Sequence, residues 1–313
     1  MTIKEIASLL KQNNNFEILT HNYPDGDCLG CGYGLCLALR QLGKNANVIT
    51  TDKPKSFDFI TNKAPDQSFE PEYIVSVDVA DEKLLGKNED KYRGRINLCI
   101  DHHASNKIEA EYRYVDAQAA AAGEIIYEVI KELGAEITLD VANCLYTAIS
   151  TDTGCFRYTN TTSRTLRIAA DLLEIGCDSA YINKVMFETK TKRRLELERD
   201  ILDNMIFCAD DKCAMIYTTL KMVEGMGDDE TEGIASIPRQ IEGVKLGITI
   251  REKDGGEYKV SARTNGDVDA CAFCAQFGGG GHVAAAGCTI KGTLKSTIAK
   301  LKEAAEKYCV ANI

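Results

Sequence analysis

Phe16-Glu17-Ile18-Leu19-Thr20-His21-Asn22-Tyr23-Pro24-Asp25-Gly26-Asp27 decides how the rest of the chain is read. Its first five residues have the length and apolar content of a buried strand, Pro24 and Gly26 then shape a turn, and a helical pattern follows over about 26–42. A strand that passes through a turn directly into a helix is the opening half of a parallel-sheet unit, and ligands bind such sheets outside the carboxyl ends of the strands. His21, Asp25 and Asp27 fall at that end, one imidazole and two carboxylates within a short turn. Taken alone, a turn closed by capping aspartates would look the same.

The pattern repeats outward. Ala46–Ile49, Tyr73–Val77 and Ile96–Ile100 are further short apolar runs, and helical patterns follow at about 119–133, 139–150 and 163–175, the last capped by Thr161-Thr162-Ser163 and closed at Gly176. These predict an α/β fold whose N-terminal domain is a mainly parallel sheet flanked by helices. Thr189 to Asp200 is densely charged with interspersed leucines, as expected of a partly exposed linker helix. Beyond it come strands at Ala214–Leu220, Val244–Arg251 and Tyr258–Arg263, a glycine run and a closing helix with Leu294, Ile298, Leu301, Ala305 and Tyr308 on one face. The expected division is a catalytic domain over 1–188, a linker helix over 189–207 and a smaller α+β domain over 208–313.

Three more places put acids or imidazoles at element ends. Asp78 emerges from the third apolar run, Asp101-His102-His103 closes the fourth, and Asp152 stands where a helix runs into Thr153-Gly154. Each alone could be a solvated loop residue. Together with the first turn they gather three of the four histidines. Four carboxylates facing one another would repel or take up protons, and two divalent ions would neutralise them. Mixed oxygen and imidazole donors suit Mn²⁺, with Mg²⁺ or Co²⁺ as substitutes. Two ions roughly 3.5–4 Å apart can share a hydroxide for in-line attack on phosphorus.

An HxxPDxD turn, an isolated Asp after a strand, a DHH triplet and a later Asp occur here in order, and the chain resembles the DHH phosphoesterases in all four and through Thr151 to Tyr158. The resemblance implies one ion held by His21, Asp25 and Asp78 and another by Asp27, Asp78, His102 and Asp152, with Asp78 as the bridge. It implies that His103 faces the scissile phosphate as hydrogen-bond donor or acid, and that Asp101 orients an imidazole from behind.

In the C-terminal part, Tyr258 to Asn265 precedes Phe277-Gly278-Gly279-Gly280-Gly281-His282. Consecutive glycines can leave amide N–H groups free for an anion, with Arg263 and His282 supplying positive charge. A flexible turn is the alternative. Gly279 to Gly287 resembles the GGGHxxAAG signature of the DHH-associated domain found with nano-RNases, single-strand exonucleases and cyclic-dinucleotide phosphodiesterases, so Arg263, Thr264, Gly279, Gly280, Gly281 and His282 are the expected substrate-binding residues. Family II pyrophosphatases share the N-terminal motifs with a different C-terminal domain, which argues against pyrophosphate. Cys28 and Cys31 replace the usual Ala and Ser, Thr264 a Ser, and Val283-Ala284 a polar pair.

Composition narrows the setting. The 313 residues are 44% hydrophobic and 27% charged, with a net charge of −10 that works against long duplex nucleic acid. No apolar run approaches a membrane span and the start does not read as a signal peptide, so a cytoplasmic protein away from membranes is expected. An odd 13 cysteines then read as reduced thiols, and Cys28/Cys31 and Cys271/Cys274 as core residues rather than zinc ligands.

The compact chain resembles the oligoribonuclease type that also acts on 3′-phosphoadenosine 5′-phosphate (pAp). Expected, then, is hydrolysis of nano-RNA to mononucleotides, as an exoribonuclease, or of pAp to AMP, as a 3′(2′),5′-bisphosphate nucleotidase. Cleavage of cyclic di-AMP or pApA is the alternative chemistry, and a non-catalytic nucleotide-binding regulator the alternative class. A bilobal cleft and a homodimer are both compatible with the sequence.

Overall fold

Short aliphatic runs become the strands of a parallel sheet: β1 (Phe16–Leu19), β2 (Ala46–Ile49), β3 (Tyr73–Val77), β4 (Ile96–Asp101) and β5 (Ala110–Val115), in the order β2-β1-β3-β4-β5. β1 and β3 are buried along their whole length, which is why they carry no polar alternation. The structure, a computed structural model, describes residues 1–231, 233–265 and 268–311, in two units, Met1–Thr189 and Lys190–Ile313. In the first unit the strand order reverses at β1 and β3, and a crevice at such a point is where open α/β sheets take ligands.

Two helices position the site. Gly26–Gln41 is buried on nearly all sides and lies against Leu139–Asp152, and its glycines are what allow the approach. A Cβ on Gly30 would sit 2.3 Å from the Cys144 carbonyl oxygen and 2.9 Å from the Ala148 Cβ. The helix Ile3–Gln12 escapes the sequence reading, although Thr2 and Glu5 form a capping box and Ile6 and Leu10 are fully buried. The helix expected from 119 begins at Ala122, because Ala119 to Ala121 run as a buried, non-helical approach. β5 was also unforeseen, being a largely exposed edge strand without an apolar run.

The second unit is a mixed sheet of β6 (Ile206–Cys208), β7 (Cys213–Thr218), β8 (Leu246–Lys253), β9 (Glu257–Thr264), β10 (Gly280–His282) and β11 (Ala285–Lys291), in the order β10-β11-β9-β8-β7-β6. Only β7 and β8 run parallel. The charged helix Lys192–Asp203 clusters with this unit, its Leu197 and Ile201 buried with Ile216 and Ile234. The helices Ala270–Ala275 and Leu294–Ala311 join the other core, where Leu301 and Ala305 are fully buried and Leu294, Ile298 and Tyr308 pack beside them. No helix among the described residues is long and apolar enough to cross a membrane.

Gly30→Ala is expected to lower the free energy of unfolding by about 1–3 kcal/mol through overpacking. Gly34→Ala, whose added carbon meets its nearest neighbour at 3.4 Å, should be neutral or slightly stabilising because alanine favours the helix. Denaturant unfolding of both variants checks the contrast.

Candidate metal centre

The ends of β1, β3 and β4 and one helix end converge. After β1, the chain turns through His21 to Asp25, which caps the helix Gly26–Gln41 by accepting the Cys28 N–H at 3.0 Å. Gly26 is required at this turn, since a Cβ would lie 2.4 Å from the Thr151 side chain. That contact brings the loop against the helix whose last residue is Asp152. Asp78 leaves β3 in the left-handed region at φ 55°, its N–H donating to the Ile100 carbonyl at 3.0 Å. β4 ends on Asp101 and delivers His102 and His103.

Two overlapping groups result. His21 Nε2 lies 3.6 Å from Asp25 Oδ1 and 4.0 Å from Asp78 Oδ2. His102 Nε2 lies 3.7 Å from Asp27 Oδ2, 3.5 Å from Asp78 Oδ1 and 3.4 Å from Asp152 Oδ2. Asp78 belongs to both groups. All six residues expected as ligands are therefore brought together, with Asp27 and Asp78 nearly inaccessible and Asp152 partly open.

Several of these residues are held from behind. Asp27 accepts the N–H groups of Ala122 and Gly123 at 2.7 and 2.9 Å, where the helix Ala122–Leu133 presents its positive end. His102 Nδ1 lies 3.2 Å from the Ala119 carbonyl, which fixes its tautomer with Nε2 facing the acids. Asp101 is fully buried, accepts the His102 N–H at 2.7 Å, lies 2.9 Å from His103 Nδ1 and is bonded by Asn106. Burial works against the Asp101 carboxylate, yet the bonds from His103 and Asn106 hold its pKa below the ordinary value. The bond to Asp101 in turn raises the pKa of His103, whose side chain is 44% exposed.

Burial, and then the neighbouring acids, push the pKa values of Asp27 and Asp78 well above the carboxylate range. Asp78 Oδ1 is buried with no hydrogen-bond partner. An acid placed so has no local donor to stabilise its charge, and the oxygen and imidazole donors around it match a divalent cation. The residues fit a divalent metal centre.

Sequence reasoning missed the supports: Asn106, the Ala119 carbonyl and the amides of Ala122 and Gly123. The run of small residues from Ala119 to Gly123 was their one signal, as a place for close backbone approach. Cys28 and Cys31 are buried as expected of core residues, but they also reach the site. The Cys28 Sγ accepts the His21 N–H at 3.3 Å and the Cys31 thiol donates to Asp27 at 3.2 Å. No disulfide joins the twelve cysteines whose side chains are described.

In the second unit the glycine run differs from an open anion loop. Gly280–His282 is an edge strand paired with β11, so part of its backbone is committed to the ladder. Gly279 donates its N–H to the Cys274 carbonyl at 3.0 Å. Thr264 is buried and its hydroxyl donates to the Val283 carbonyl at 3.2 Å, which holds the turn between β10 and β11. Arg263 is half-buried and His282 is exposed.

Residues 15–149 match the DHH family, N-terminal domain, and residues 214–311 match the DHHA1 domain. The bifunctional oligoribonuclease and PAP phosphatase NrnA of Thermus thermophilus is 33% identical to this chain, covering 92% of it and 88% of the relative. The protein of the same name from Bacillus subtilis is 26% identical, covering 86% and 87%. Among solved structures, an exopolyphosphatase-related protein from Bacteroides fragilis shares the fold with a TM-score of 0.86 at 24% identity, covering 99% of this chain and 97% of the other.

Adding a divalent ion to the metal-stripped chain should raise its unfolding temperature. Asp78→Asn should raise that of the stripped chain, by removing a buried and repelled charge, and cancel the metal response. An undiminished metal response in Asp78→Asn would contradict the placement of Asp78.

Proposed function

The chain belongs to the DHH family of phosphoesterases, and on that premise we propose that it hydrolyses RNA of a few nucleotides to mononucleotides and pAp to AMP. The observation that carries the reading is Asp78: a buried carboxylate with an unpartnered oxygen, between His21 on one side and His102 on the other, in a chain 33% identical to a bifunctional oligoribonuclease and PAP phosphatase.

His21, Asp25 and Asp78 would hold one divalent ion and Asp27, Asp78, His102 and Asp152 the other, with Mn²⁺ the best match to this donor set. When bound, the pair supplies an activated water and positive charge at the phosphorus. The chain's own groups do the rest. Asp101 fixes the His103 ring through Nδ1, so that Nε2 can hold a proton toward a phosphate oxygen. The bond to Asp101 keeps His103 protonated to higher pH than an ordinary imidazole. Ala122 and Gly123 keep Asp27 aimed inward without a competing cation.

The catalytic role falls to residues 1–188 and substrate binding to 208–313, joined through 189–207. Arg263, His282 and the backbone of Gly279, Gly280 and Gly281 contact the nucleotide, while Thr264 holds their turn. A reducing cytoplasm suits a chain in which no disulfide joins the cysteines whose side chains are described.

Mn²⁺-dependent turnover on pAp, RNA of two to five nucleotides, cyclic di-AMP, pApA and pyrophosphate tests the reading, with Asp78→Ala as control. Cleavage of pAp and short RNA that vanishes in Asp78→Ala is expected. Preference for cyclic di-AMP or pApA would reassign the substrate, and no cleavage with metal bound would remove the enzymatic reading. Arg263→Ala should raise KM more than it lowers kcat.

A further inference from the structure

Alternation along β8 and β9 sorts their side chains between two faces. Ile248, Ile250, Val260 and Ala262 point into the core shared with the last helices. Gly247, Thr249, Arg251 and, on the partner strand, Arg263 therefore belong to the other face, with Gly247 directly opposite Arg263. A Cβ on Gly247 would lie 2.9 Å from the backbone nitrogen of Arg239, so the short turn Pro238–Gln240 crosses this same face just above that glycine. Arg239 and Arg263 thus converge over Gly247, and Arg251 follows two positions beyond Thr249.

Positive charge gathers on this side of the sheet. Burial first, and then the charges of Arg239 and Arg251, push the Arg263 guanidinium pKa below its ordinary value. The contact recorded for the Arg263 guanidinium is a donation from Nη1 to the Ala262 carbonyl at 3.0 Å. Arg251 Nε is buried without a partner, as is the hydroxyl of Thr249, a residue with no exposed surface. The adjacent acid, Glu252, is opposite Tyr258 on the other face and accepts the Leu220 N–H at 3.0 Å. Lys259, opposite Arg251, adds a further cation to this face, and Glu257, the acid the described strands place there, is paired with Lys291 at 2.9 Å. Converging cations with an idle donor are costly unless an anion completes them.

We propose that Arg239 and Arg251 act with Arg263 as a binding site for a phosphate group, which selects substrates that carry a second phosphate beyond the one hydrolysed. The ligand class is a nucleotide with a further phosphate, such as a 3′,5′-bisphosphate or a 5′-phosphorylated RNA. The proposal rests on the reading of 208–313 as the substrate-binding part, but phosphate binding can be measured without turnover.

The test is calorimetric titration of the full chain with pAp, AMP and adenosine in chelating buffer, which removes metal-borne phosphate binding. Wild type should bind pAp best, and Arg239→Gln and Arg251→Gln should each weaken pAp binding about tenfold, as loss of a charge-assisted hydrogen bond does. Arg251→Lys should recover most of the loss, which a purely structural role would not predict, and unfolding temperatures identify any variant that misfolds. Arg239→Gln decides the matter if Arg251→Gln fails to fold. Binding of pAp within about twofold of wild type in a folded Gln variant overturns the site. A chain that turns over nothing yet loses pAp binding in these variants keeps the phosphate site and loses the catalytic reading. Turnover of pAp with KM untouched by both substitutions does the reverse.

Discussion

Burial of Asp78 among other acids is the constraint on which the first unit turns. A carboxylate with almost no exposed surface, and one oxygen without a donor, is stable only as a protonated acid or beside cations. The surrounding structure makes the second solution available. Three neighbouring parallel strands end at the same edge, and each hands over a ligand-type residue within two positions of its last apolar one. Asp78 leaves its strand in a left-handed conformation that aspartate tolerates better than most side chains. Helix packing serves the same end, because Gly26 and Gly30 let the helix that carries Asp27 approach the one that ends at Asp152.

Much of this was legible because the motifs are local. His21, Asp25 and Asp27 share one turn, Asp101 to His103 are consecutive, and apolar runs announce the strands that precede them. Parallel strands buried on both faces leave a strong signal of this kind. Supports contributed by backbone atoms leave almost none. The Ala119 carbonyl and the Ala122 and Gly123 amides act regardless of side chain, and only a run of small residues hints at them. Asn106 acts through a side chain, but its partner depends on how the loop after β4 folds back. β5 and the first helix were missed for other reasons. The former is an exposed edge, and the latter is announced by a capping box and singly spaced apolar residues instead of an apolar run.

The second unit was harder to read because its chemistry depends on register. Glycine repeats suggest an open loop, whereas strand pairing with β11 commits part of that backbone and leaves an edge. Arg239, Arg251 and Arg263 are separated by a dozen residues each, and nothing in their spacing brings them together. It takes the pairing of β8 with β9, and the absence of a side chain at Gly247, to put them on one face.

The most direct measurement of the central claim is the metal content of the chain, by elemental analysis after equilibration with Mn²⁺ and removal of free ion, in wild type and in Asp78→Ala. A bridging Asp78 predicts two ions per wild-type chain and the loss of both, rather than one, when that carboxylate is removed. One ion or none in the wild type, or two retained without Asp78, would contradict a dinuclear centre built around it.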